Sequence, residues 1–177
     1  VYAKWDLVGF GIQYVLDGGS NHPDNPSNYT VESKPINFES PTKAGAVFVG
    51  WFSDKELTKK ISGIPTGSLG DKIVYAKWEL NGFAIHYVLN GGINHPENPS
   101  YFTVESNQII FESPSKTGGV FVAWYVDKEF TNKITGIPTG SIGDTTIYAK
   151  WDLDVFTIQY ELNGGINLSL NPDNYTV

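Results

Sequence analysis

A histidine two residues before a carboxylate is the simplest metal-binding pair, and the chain offers it twice. His22 precedes Asp24, and His95 precedes Glu97. Imidazole with carboxylate suits a transition metal. A third copy of the same segment carries Leu168 and Leu170 at these positions, and leucine ligates nothing. The pairs therefore read as loop polarity, and no metal or other cofactor is expected. His86 aligns with Gln13 and Gln159 and reads as a polar strand position. Glu32 and Glu39 recur as Glu105 and Glu112. Paired carboxylates cleave glycosidic bonds when they face each other across a cleft. Here they flank short predicted strands of a very small unit, where a solvated face is the plainer reading. No Ser/His/Asp grouping, Gly-rich phosphate loop or nucleophile elbow occurs, so no enzymatic activity is expected. Lys4, Lys77 and Lys150 could form isopeptide crosslinks only if buried, and the strand pattern turns them away from the apolar face. Exposed aromatic rings can stack on sugars. Tyr29, Phe102 and Tyr175 stand beside a polar loop and are the candidates for ligand contact. Trp51 and Trp124 lie in the most apolar strands, and Trp5, Trp78 and Trp151 share a face with alanine, so all five read as core.

Composition narrows the field further. The 177 residues carry 12 cationic side chains, all lysine, against 19 carboxylates, for a net charge of −7. An acidic chain without arginine does not suit nucleic acid or an anionic membrane surface. Cysteine and methionine are absent, which excludes disulfides, thiolate chemistry and Cys-bound zinc. The absence also suits exposure to oxidants outside a cell. No apolar run is long enough to span a membrane, and no signal peptide opens the chain. Fourteen per cent aromatic residues, with 19 glycines and 10 prolines, describe a folded all-β protein rendered in short strands and many turns.

The organisation is repetitive. Tyr-Ala-Lys-Trp begins at Tyr2, Tyr75 and Tyr148, each 73 residues after the last. Trp51 and Trp124, Pro65 and Pro138, and the Gly-Gly pairs at 18, 91 and 164 keep the same offset. Roughly two thirds of positions are identical between the two complete copies, the mark of one supersecondary unit used repeatedly. Residues 1–8 read as the last strand of a preceding repeat plus a linker, 9–81 and 82–154 as two repeat units, and 155–177 as the start of a truncated third. Both ends thus fall inside repeats, and the chain reads as a slice of a longer array.

Each unit opens with strict alternation: Phe10, Ile12, Tyr14 and Leu16 in the first, Phe83, Ile85, Tyr87 and Leu89 in the second, a half-buried strand. Asp17 or Asn90 before Gly-Gly predicts a tight turn, since both tolerate positive φ. A polar loop at 21–28 follows, then short strands at 29–32 and 36–39. The run from Val47 to Phe52 is apolar on both faces and predicts a central strand covered on both sides. Asp54 is placed to cap a single helical turn. The Gly- and Pro-rich stretch 61–71 reads as irregular but pinned to the core, and 73–78 closes the unit with Val74, Ala76 and Trp78 on one face.

The order of these markers resembles a known family. Leu16 to Gly19, the Pro-Thr-Lys-x-Gly-x-x-Phe-x-Gly-Trp-Phe-x-Asp run from Pro41 to Asp54, and Tyr75 to Trp78 are similar to the Listeria–Bacteroides repeat, also called the internalin B-type repeat. The second copy varies the motif at Ser115, Thr117 and Ala123. The resemblance implies a mainly β protein of tandem, small β-grasp-like units with little helix, arranged head-to-tail. It also implies a secreted bacterial protein displayed on the cell surface.

Only Glu79-Leu80-Asn81-Gly82 separates Trp78 from Phe83. Four residues reach at most about 14 Å, against about 30–40 Å for the width of such a unit. Neighbouring repeats of the chain are therefore expected to touch, with Leu7, Leu80 and Leu153 at the junctions. The function expected is a non-catalytic, semi-rigid stalk of a surface protein or adhesin. The rivals are a binding module for host or bacterial surface protein or glycan, and a self-associating filament. Nucleic acid and membrane insertion are not expected.

Overall fold

The computed structural model describes residues 4–176. The chain divides between Asn81 and Gly82 into two compact units. The first contains β1 (Gly9–Val15), β2 (Asn28–Thr30), β3 (Ile36–Asn37), β4 (Ala46–Phe52), β5 (Lys60–Ile61), β6 (Gly63–Ile64) and β7 (Lys72–Leu80). The second repeats them as β8 (Phe83–Val88), β9 (Tyr101–Phe102), β10 (Ile109–Ile110), β11 (Gly119–Tyr125), β12 (Lys133–Ile134), β13 (Gly136–Ile137) and β14 (Thr145–Leu153). A hairpin of β15 (Val155–Thr157) and β16 (Asn174–Thr176) opens a third copy. Among the described residues there is no helix. The protein is mainly β and built of tandem units, as the sequence predicts.

Each unit is a five-stranded mixed sheet. The order is β2-β1-β7-β4-β5 in the first and, read from the same side, β9-β8-β14-β11-β12 in the second. The pair formed by the first and last long strands is parallel, with Ile12 opposite Lys72 and Tyr14 opposite Val74. The neighbouring pairs are antiparallel. Residues 29–38, where a β-grasp helix would lie, instead run through β2 and a turn into β3. The β3–β6 ribbon pairs Ile36 with Ile64, and these two residues pack on Ile12, Trp51, Val74 and Ala76. A two-stranded ribbon therefore does the covering that a helix would do, on one face of the sheet.

The other face is open along the first half of β4 and covered at its end, where Phe52 is 6 % exposed with Lys77 over its ring. The expectation that β4 is covered on both sides is corrected at Val47 and Val49. Val47 is 55 % exposed, and Val49 and Ile73 also reach solvent. The strand is central only in the plane of the sheet, between β7 and β5. Its apolar run is explained by a β-bulge: Phe48 faces Trp78, the next pair is Gly50 with Lys77, and Val49 is the extra residue. A bulge shifts side-chain parity by one. Phe48 and Trp51, three apart, consequently share the core face with ring centroids 5.4 Å apart. The second unit bulges in the same place, between Phe121 and Ala123.

The Gly-Gly pairs do two different jobs. Asp17 and Gly18 both have positive φ, 48° and 82°, the twist that two-residue turns require. Gly19 is needed for space: a Cβ there would lie 2.5 Å from Cζ2 of Trp78 and 3.0 Å from the Thr42 carbonyl. The Trp78 indole sits against this glycine and donates its N–H to Leu16 O at 2.9 Å. Trp151 repeats the arrangement on Gly92 and Leu89.

Two further expectations are corrected. Asp54 does not cap a helix. Its carboxylate accepts from the backbone N–H of Thr58 and Lys59 and from the Thr58 hydroxyl, closing a turn that holds Leu57 at φ 55°. The hydroxyl bond to Thr58 above all, aided by those backbone bonds, lowers its pKa; the resulting contribution to the turn is lost as pH falls below the usual carboxylate range. Of residues 1–8, expected to hold the last strand of a preceding repeat plus a linker, 1–3 lie outside the described residues, and 4–8 form no strand. Trp5 is 84 % exposed, because no described residue gives it the Gly-Gly seat and β4 partner that Trp78 has.

Gly19→Ala and Gly92→Ala are each expected to destabilise the protein by about 1–3 kcal/mol, the usual cost of overpacking a rigid site. Gly9→Ala, with no atom near the added Cβ, should change stability by less than about 0.5 kcal/mol. Urea unfolding of the three variants checks the contrast.

Candidate functional site

The polar loop at 21–28 is built around one buried asparagine. Asn25, 8 % exposed, donates from Nδ2 to Asn21 Oδ1 at 2.8 Å and to Glu39 O at 3.0 Å. Its Oδ1 accepts from Glu39 N–H at 2.8 Å. Asn98 makes the same three bonds to Asn94 and Glu112, and Asn171 bonds Asn167 in the third copy. Trp51 Nε1 donates to the same Glu39 carbonyl at 3.0 Å, and Trp124 to that of Glu112. What recurs at Glu39 and Glu112 is thus a peptide group in a structural network, while their side chains point to solvent. Asn25 escaped the sequence reading. Its signal was present: Asn-x-x-x-Asn-Pro stands at 21–26, 94–99 and 167–172.

The histidines belong to the same loop. His22 Nδ1 accepts from Asp24 N–H at 3.3 Å and lies 3.8 Å from its carboxylate; His95 bonds Glu97 N–H in the same way. A ring nitrogen occupied by backbone is a turn-forming group. Among the described residues no three His, Asp or Glu side chains gather into a cation site.

Two of the three aromatic contact candidates are core residues. Tyr29 and Phe102 are each 4 % exposed. The antiparallel register sets Tyr29 opposite Phe10 and Phe102 opposite Phe83, with ring centroids 5.5 Å apart in each pair. The Tyr29 hydroxyl donates to Gly70 O. Proximity to a polar loop in sequence did not carry exposure, because β2 turns these rings onto the core. Tyr175, in the third copy, is 53 % exposed and stacks on Phe156 at 5.4 Å.

Tyr14 and Tyr87 are the titratable groups most altered by the fold. Each hydroxyl donates to a proline carbonyl, Pro26 or Pro99, at 2.9 Å. Burial pushes both up to about 12, because the phenolate would lose hydration.

The open face of the second unit carries a groove of about 480 Å³, floored and rimmed by Asn90, Lys116, Lys128, Phe130, Tyr148 and Lys150 among others. Lys150 Nζ lies 5.8 Å from the Tyr125 ring centroid and 5.7 Å from that of Phe130. Lys116 Nζ donates to Asn90 O at 2.9 Å and lies 6.0 Å from the Trp151 ring. Phe130 reaches this face from a backbone φ of 56°, in a turn closed by Asp127 as Asp54 closes the first. Neither the lysine grouping nor the open sheet face was read from the sequence.

Two helix-free, mixed sheets with the same strand order, the same bulge and the same Asn–Trp network define a tandem β repeat protein. The chain belongs to the Listeria-Bacteroides repeat family, whose profile matches residues 10–77 and 83–150. It is similar to two proteins of Evansella cellulosilytica. One, named "Putative Gly-rich membrane protein", is 33 % identical over 96 % of this chain and 19 % of its own length. The other, named "Putative membrane protein", is 28 % identical over 96 % of this chain and 25 % of its own. The chain thus spans about a fifth to a quarter of the curated relatives it matches. No helix among the described residues is long and apolar enough to cross a membrane. No solved structure matches the chain.

Asn25→Ala is expected to cost about 1–3 kcal/mol by stranding the Glu39 N–H, whereas His22→Leu, the third copy's choice, should stay within about 0.5 kcal/mol; chemical denaturation of both variants separates loop scaffold from loop surface. For the tyrosines, the folded state holds the phenolic proton more tightly than the unfolded chain. Their contribution is full below the ordinary pKa of 10.0 and is lost as pH climbs toward about 12. Tyr14→Phe with Tyr87→Phe should lower stability at pH 7 by about 0.5–1.5 kcal/mol per hydroxyl, yet flatten the decline between pH 10 and 12. Thermal unfolding across that range reads both effects.

Proposed function

We propose that the chain is part of a non-catalytic structural array, a semi-rigid stalk that carries other parts of a bacterial surface protein away from the cell. The supporting observation is the economy of the link. β7 ends at Leu80 and β8 begins at Phe83, and Asn81 N–H is tied to Gly45 O at 2.9 Å. One residue, Gly82, is left to hinge two modules, so the segment between them is far stiffer than a flexible linker of ordinary length. The position after the second unit repeats the tie, from Asp154 N–H to Gly118 O. The relatives' names and their four- to fivefold greater length agree with a repeat array in a surface-associated protein. The partners of each unit in this reading are the neighbouring repeats, and its location is extracellular.

Positions that differ between copies fit a spacer. Lys34 and Asn107, Lys72 and Thr145, and Ile73 and Thr146 exchange chemical character, while the core rings and the Asn–Trp network stay. Solution scattering on arrays of two, four and six units tests the stalk: the radius of gyration should rise in proportion to unit number. A rise nearer the square root of that number, the behaviour of a flexible chain, would overturn it.

A further inference from the structure

We propose that the lysine-lined groove on the open sheet face of the second unit binds an acidic polysaccharide, one that carries a carboxylate on its sugar rings. The proposal goes beyond the stalk: it gives the array a ligand without changing its role as a spacer.

Charge favours an anionic ligand. The chain is acidic, at −7, yet Lys116, Lys128 and Lys150 converge on one groove. The carboxylates that flank Lys128 do little to neutralise it. Asp127 is occupied by the backbone N–H groups of Thr131 and Asn132. Glu129 reaches Lys128 only at 3.8 Å, with both side chains largely in solvent, where such a pair contributes little. Lys116 uses one proton on Asn90 O, and an ammonium has three to give.

The lysines recur. The same three positions in the first unit are Lys43, Lys55 and Lys77, and Lys77 lies 5.5 Å from the Phe52 ring as Lys150 lies over Tyr125. The lysines that are lost between copies, at 34, 59 and 72, are not among these. Lysine positions repeated in tandem modules suit a partner that is itself repetitive, since each further engagement is intramolecular and adds avidity. A charged polysaccharide repeats its carboxylate; a folded protein partner presents one epitope.

The groove's side chains suit a sugar acid. Lysine is a point charge with no fixed fork, tolerant of the angle at which a carboxylate arrives. Phe130 and Tyr148 supply apolar and aromatic surface beside the ammonium groups. A uronic acid has both features, a carboxylate and an apolar C–H face. Phe130 is held at positive φ, a conformation that costs about 1–3 kcal/mol for a bulky residue. The turn that imposes it delivers the ring to this face and against Tyr125, at 5.5 Å.

The two units differ at two places that bear on the groove. Phe130 in the second is Leu57 in the first, so that aromatic wall belongs to the second unit. Asn90 in the second is Asp17 in the first, at the turn next to Lys116 or Lys43. An aspartate there lowers the positive potential, so the second unit is the stronger site. Asparagine and aspartate both accept this turn's positive φ, but Asn90 Nδ2 also donates to Ala149 O at 2.8 Å, a bond an aspartate cannot make, so Asp17→Asn is the cleaner exchange.

The test is isothermal titration of the whole chain with polygalacturonate oligomers at low salt, with dextran as the uncharged glycan and polyglutamate as the acidic polypeptide. Polygalacturonate should bind, dextran should not, and affinity should fall as salt rises. Lys116→Gln with Lys128→Gln, both on the rim, should weaken binding about fourfold to twenty-fivefold, from about two- to fivefold per exposed charge pair. Lys128→Gln alone, at a side chain largely in solvent, should weaken binding about two- to fivefold and Asp17→Asn should strengthen it, both with the unfolding temperature unchanged. The proposal fails if polygalacturonate does not bind, or if it binds the folded lysine variants as well as the parent. It fails equally if polyglutamate binds as tightly with the same lysine dependence, which would assign the groove to an acidic peptide. Scattering on longer arrays is unaffected by any of these outcomes, so the stalk and the ligand stand or fall separately.

Discussion

The peptide group at Glu39, and its twin at Glu112, is the point on which each unit depends. Its carbonyl accepts from the Trp51 indole and from the Asn25 amide, and its N–H donates to the Asn25 oxygen. The bonds tie the largest core ring to the longest loop. They matter because a unit of this size buries little more than half of its unfolded surface and has no cysteine to form a disulfide. It relies on a few large rings, and a large ring with a polar edge must have that edge satisfied to be buried at all. The chain of contacts from Trp78 through Phe48 and Trp51 to Tyr14 and Phe38 is continuous at 5.3–5.9 Å. The indoles and the Tyr14 hydroxyl find backbone carbonyls. Among the described residues no buried side-chain polar atom is left without a partner.

The same constraint explains what was legible in the sequence. The repeat, the opening strand, the Asp-Gly turn and the closing strand are each set by a local rule: an exact period, a two-residue alternation, a φ preference. The β4 bulge is not local. Phe48, Val49 and Trp51 are all apolar, so an alternation test cannot see that Val49 has been pushed out of register, and a strand covered on both sides is the natural misreading. Only pairing against Trp78 and Lys77 fixes the parity. Tyr29 misled for a related reason. Its neighbours in sequence are polar, but its neighbours in space are Phe10 and the Gly70 carbonyl, more than forty residues away in the second case. Asn25 was hidden by habit: asparagine before proline reads as a turn marker, and its i, i+4 spacing to Asn21 was legible in all three copies.

The absence of a helix has a consequence for function. In a two-layer unit with a helix on one side, the sheet still has a second face; here the β3–β6 ribbon covers the first face so narrowly that the second must remain soluble by itself. It does so with lysines laid over aromatic rings. Lys77 covers Phe52, and Lys150 covers Tyr125 and Phe130, each ammonium attracted by ring electrons and keeping its own hydration. An apolar sheet face shielded this way resists aggregation without needing a partner, yet it also gathers cations where an anion can reach them. The inner face fixes the module and admits little change, as the Gly19–Trp78 contact shows. The outer face admits change at Ile73 and Thr146 while retaining its lysines. A repeat protein that must be both spacer and surface gains from that separation, because the residues that set the length of the array are not the ones that meet what lies beside it.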